Sequence, residues 1–174
     1  MLKRFLLNRI DAFERKTGYD ASWMRDVVRG STRAAFGVNR FMQLSRHRVE
    51  TPKLVWHMAR IAAMRHEDCG PCLQIVVDHA LADGVDAAVI ETAVQAPENL
   101  WGDADLAYRY GTAVASSSAD ADFTREQVLT RFNKTVLMEL ALCVATARVY
   151  PTIKRGLGYA RSCNLVTIDV HKAA

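Results

Sequence analysis

The chain has 174 residues, half of them apolar and 24% charged, with a net charge of +4. These are ordinary values for a soluble globular protein with one real core, and no basic run carries interleaved aromatics, so nucleic-acid binding is not expected. Few Gly and Pro, 9 and 4, against abundant Ala argue for helices over a many-turned β fold.

Residues 1–18 carry Phe5, Leu6, Ile10 and Phe13 at helical spacing, and Gly18 can end that helix. Asp20 or Ser22 can cap a second helix holding Trp23, Met24, Val27 and Val28. The pattern continues loosely from Gly30 to Arg48 through Phe36, Phe41 and Leu44, and the interleaved arginines read as a solvated or subunit-facing rim. Thr51-Pro52 is a start signal for a strong helix over 53–66. After a break at Glu67-Asp68, the next helix runs from about Cys69 to Ala82 and stops at Asp83-Gly84. Asp86 caps another helix that ends before Pro97, and Asp103 caps one through Leu106, Tyr110 and Val114. Thr124-Arg125-Glu126-Gln127 fits a capping box. Lys134 to Val149 is the most apolar helix, and Pro151 is expected to break or kink the chain before a last helix towards Gly156 or Ala160. Leu165-Val166-Thr167-Ile168 reads as a short strand or extended arm. The expected organisation is a single all-α domain: N-terminal helices over 1–50, a core over 51–160 and a tail over 161–174.

No apolar run approaches the ~20 residues of a membrane span. The apolar stretch after Met1 is broken by Asn8, Arg9 and Asp11, so no secretion signal is read. A reducing cytoplasm is the expected compartment, where a close cysteine pair is redox-active or metal-binding more often than structural.

The four cysteines stand at 69, 72, 143 and 163. Cys69-Gly70-Pro71-Cys72 opens a helix, where unpaired N–H groups and the helix dipole favour a thiolate, the reactive form of cysteine. The expectation is two sulfurs at the exposed mouth of a helical bundle. A thioredoxin-like setting would need a β-strand running into Cys69, and the preceding stretch is helical instead. A zinc site drawn from His66, Cys69, Cys72 and His79 suits no common zinc ribbon, and a rigid helix cannot bring His79 back to the pair. No metal and no cofactor is expected. Cys143 lies in an apolar run and reads as a buried inert side chain.

The helix 54–66, the Cys69/Cys72 pair and the run Ala80-Leu81-Ala82-Asp83-Gly84-Val85 together resemble the carboxymuconolactone decarboxylase-like superfamily, in its alkylhydroperoxidase D type. The likeness covers residues 50–97 best and 100–160 more loosely. It implies an all-α helical bundle with an N-terminal extension, assembled as trimers or hexamers, or as a dimer. It implies a thiol-dependent peroxidase or disulfide oxidoreductase in which Cys72 attacks and Cys69 resolves. Its partners would be a peroxide or disulfide substrate and a protein or small-thiol reductant. Two positions depart from the pattern. Val76 stands where the redox-active members have His, and His57 stands where they have a relay Glu. Either His57 takes over the relay, with His66, Glu67 or His79 assisting, or the relay is absent. In the second case peroxidase activity is weak or lost, and the alternative is a non-catalytic helical module of the same fold for assembly or small-molecule binding.

Overall fold

The structure is a computed structural model that describes residues 1–159 and 168–170. Among these residues it is all-helical: α1 (Leu2–Thr17), α2 (Ser22–Gly30), α3 (Thr32–Leu44), α4 (Lys53–His66), α5 (Gly70–Ala82), α6 (Ala87–Gln95), α7 (Gly102–Ser116), α8 (Ala121–Arg131) and α9 (Lys134–Gly156), with a 3-10 turn at Pro97–Asn99. Asp86 and Asn133 start α6 and α9, their side-chain oxygens accepting from the N–H groups of Ala88 at 2.8 Å and Val136 at 2.9 Å. Gly18 ends α1 at φ +68, a left-handed conformation that glycine adopts without strain.

The axis of the fold is α4, which packs on α5, α6, α7 and α9. Every residue from Val55 to Met64 is buried. Apart from His57 and Arg60 its buried residues are apolar on all sides, rather than on one stripe as in a surface helix. The closest approach is to α7 at Gly111. A Cβ there would lie 2.5 Å from the Ala59 carbonyl oxygen and 2.9 Å from Ala59 Cα. Glycine on α7 and alanine on α4 let the two backbones touch.

Three local expectations are corrected. The Thr51 hydroxyl does not cap α4; it donates to Glu139 on α9 at 2.6 Å. The backbone N–H groups of Val49 and Thr51 also donate to that carboxylate, each at 2.8 Å, so Glu139 holds the α3–α4 connection against the core. Thr124 does not start α8; it lies within it, its hydroxyl bonding back to the Asp120 carbonyl at 3.0 Å. Pro151 does not break the last helix, because α9 runs through it to Gly156. That makes α9 long and apolar enough, by length and composition alone, to cross a membrane, contrary to the expectation that no run suffices; 44% of its most apolar stretch is buried in this fold.

The N-terminal helices dock through a turn. Helices α1 and α3 bury no residue, whereas Tyr19, Ala21 and Trp23 between and at the start of α2 are all in the core. Arg25 on α2 pairs with Asp11 at 3.0 Å and with Glu14, both on α1, which closes the hairpin. Leu165 to Thr167 of the expected arm, and Cys163, lie outside the described residues. Beyond them, Asp169 exchanges two hydrogen bonds with Gln74 of α5, at 2.8 and 2.9 Å, and Val170 is buried.

Candidate active site

The α4–α5 connection is a tight turn. Asp68 takes φ +50, a left-handed conformation that a short polar residue tolerates better than most. Cys69 follows as the N-cap of α5 with non-helical φ −121, Gly70 and Pro71 open the helix, and Cys72 is its third residue. The sequence thus sets both cysteines in the first turn of α5, where backbone N–H groups lack helical partners.

Both cysteines are buried, Cys69 to 3% exposure and Cys72 to 5%. This corrects the expectation of an exposed mouth. Part of the cover is the N-terminal turn: the Tyr19 hydroxyl lies 3.9 Å from Cys72 Sγ. Trp23 Nε1 donates to the Tyr19 oxygen at 3.0 Å, and the phenolic proton is available to a Cys72 thiolate. Burial, then the neighbouring Cys72, pushes the Tyr19 pKa up, so the phenol stays protonated and can donate. The ammonium of Lys154, 1% exposed on α9, sits 5.0 Å over the Tyr19 ring. A phenolic proton given to the sulfur favours negative charge there. Tyr19, Trp23 and Lys154 were not legible as site residues. They come from segments far along the chain, and no motif marks them.

The other expected site residues lie elsewhere. His66 is exposed at the end of α4. Glu67 is buried and does not cap α5. Arg148 Nε donates to it at 2.5 Å, Arg155 pairs with its other oxygen, and Arg155 also donates to the Glu67 carbonyl at 2.9 Å. Burial raises the Glu67 pKa, but the two guanidiniums outweigh it and hold the carboxyl below its ordinary range. Glu67 therefore anchors the α4–α5 turn to α9 as an ion and is not poised to take a proton.

His57 is 2% exposed, and its Nε2 lies 3.1 Å from Asp83 Oδ2, at the far end of α5. From Cys72 to Asp83 the helix rises about 16 Å, so His57 does not reach the sulfurs. Burial pushes His57 down to about 4 despite Asp83, leaving it neutral at pH 7. The carboxylate accepts, so Nε2 carries the proton and Nδ1 is left without a partner. His79 lines the same recess as His57, so the structure brings these two together and away from the pair. Val76, one turn past Cys72, is buried and apolar. Cys143 is buried, and burial pushes its thiol up to about 12. Among the described residues no group of three or more His, Cys, Asp or Glu side chains is disposed to hold a metal ion.

No protein-family model, curated protein or solved structure matches this chain.

Proposed function

We propose that this chain is a thiol-dependent oxidoreductase of the alkylhydroperoxidase D type, with Cys72 attacking and Cys69 resolving. The observation that carries the reading is the placement of the two cysteines as N-cap and third residue of α5, with the Tyr19 hydroxyl on Cys72 Sγ. The order of α4, pair, α5, a left-handed Gly84 at φ +75 and α6 supports the family likeness. In the reaction, the Cys72 thiolate attacks the terminal oxygen of a hydroperoxide. The O–O bond breaks, an alcohol leaves after protonation, and Cys72 becomes a sulfenic acid. The Cys69 thiolate then attacks that sulfur and displaces water, leaving a disulfide. A small thiol, which the low exposure of the sulfurs admits more readily than a protein dithiol, returns both cysteines through a mixed disulfide and is itself oxidised. The low exposure of both sulfurs favours a small hydroperoxide over a protein disulfide as oxidant, because exchange needs in-line access to sulfur. The family likeness also carries a homo-oligomeric assembly into this proposal. The reading puts the chain in a reducing cytoplasm.

A second reading, a non-catalytic helical module for assembly or small-molecule binding, is favoured by the burial of both sulfurs and by Val76 where a base is wanted. Hydroperoxide consumption with dithiothreitol as reductant separates the two. The first expects turnover by the wild type and none by Cys72→Ser. Equal, background consumption by both selects the second.

A further inference from the structure

At the end of α5 remote from Cys72, a recess of about 410 Å³ opens between the α3–α4 connection, α4 and the last turn of α5. Three guanidiniums, Arg46, Arg48 and Arg60, line it with a single carboxylate, Asp83. That carboxylate is already engaged, by Arg48 at 2.8 Å and by His57 at 3.1 Å. Arg60 is 9% exposed, and among the described residues no carboxylate pairs with it. Its one contact of note is the face of Trp56, 4.9 Å from the ring centroid. A buried cation without a counter-ion is costly, and a protein that keeps one there has left a place for an anion. Arg46 lines the same recess from the rim, exposed and also without an ion pair among the described residues. Trp56 Nε1, a donor only, is buried on a residue of this lining with no hydrogen-bond partner.

From these groups we infer that the recess is a binding site for a small, doubly charged oxyanion, a phosphate ester or a dicarboxylate, held by Arg60 and Arg46. The excess of two guanidiniums over carboxylates matches a dianion. Planar guanidiniums take either oxyanion through paired N–H···O bonds. The volume suits a small organic molecule carrying that group. His57 and His79, read from the sequence as helpers of the thiols, are walls of this site instead. The site is independent of the dithiol, from which α5 separates it.

Calorimetric titration of the full chain at pH 7.5 and low ionic strength, with inorganic phosphate and separately with succinate, tests the inference. One of the two is expected to bind saturably at one site per chain. Arg60→Gln and Arg46→Gln are each expected to weaken it about tenfold or more, the worth of a charge-assisted pair. Tighter binding of phosphate assigns a phosphate ester, and tighter binding of succinate a dicarboxylate. Cys72→Ser is expected to bind as the wild type does. Arg46 is on the surface, so its variant keeps the fold, which circular dichroism verifies. Binding of neither dianion, or undiminished affinity in folded Arg46→Gln, overturns the inference.

Discussion

The hydroxyl of Tyr19 receives one hydrogen bond, from Trp23, and has its own proton to give. Cys72 Sγ is 3.9 Å away, and a hydrogen bond to a charged acceptor is worth about 1.5–3 kcal/mol. Tyr19→Phe should therefore slow the loss of Cys72 thiol to hydrogen peroxide by about tenfold or more, if that donor stabilises the thiolate. Stopped-flow rates on the folded variant measure it, and an unchanged rate would remove Tyr19 from the site. At this scale the sequence was informative only where chemistry is local. Cys-Gly-Pro-Cys announces a thiol pair at a helix start, because cap, proline and spacing all lie within four residues. The partners of Glu67 lie 81 and 88 residues away, and His57 meets an Asp83 26 residues on. Nothing in the sequence around them announces those contacts, so the sequence alone reads both His57 and Glu67 as helpers of the thiols.

Between elements, the α4–α7 contact depends on the absence of one methyl group. Gly111→Ala gains the better helix former, about 1 kcal/mol, but puts a Cβ into the Ala59 backbone, which cannot move aside without shifting α4. Overpacking of this kind costs about 1–3 kcal/mol, so the net effect is destabilisation. A lower urea midpoint with an unchanged slope is expected; a midpoint equal to or above the wild type would contradict this packing. Helix order was legible because breakers and turn residues separate runs of helical apolar spacing. The ends were legible where a cap acts locally, as at Gly18, Asp86 and Asp83-Gly84, and misread where a distant partner claims the capping group. Thr51 is such a case, its hydroxyl spent on Glu139. Pro151 was misread for a related reason: the packing of α9 along the core carries the helix through a residue that, by itself, breaks one.

Across the whole molecule, acid sensitivity follows from two buried groups. His57 titrates near 6.5 when unfolded and near 4 when folded, so the unfolded chain binds the proton first. Stability is complete above pH 6.5 and falls as pH drops from there towards 4. Burial raises the Glu139 pKa, but the hydrogen bonds from Thr51, Val49 and Glu50 outweigh it and lower it from 4.5 to about 2. Its contribution is present above pH 4.5 and is lost as pH falls towards 2, about 3 kcal/mol in all. Unfolding free energies from denaturant titrations between pH 7 and 3 should decline continuously. His57→Gln should flatten the upper part of that decline and Glu139→Gln the lower. A profile flat from pH 7 to 3 would contradict both assignments.

The count of thiols decides the account of Cys69 and Cys72 most directly. The chain is treated with a slight excess of hydroperoxide, quenched, unfolded and titrated with a chromogenic disulfide. The thiols of Cys69 and Cys72 should disappear together in the wild type and return with dithiothreitol, while Cys143, whose thiol burial keeps protonated, stays reduced. A wild-type thiol count unchanged by hydroperoxide would contradict the proposal.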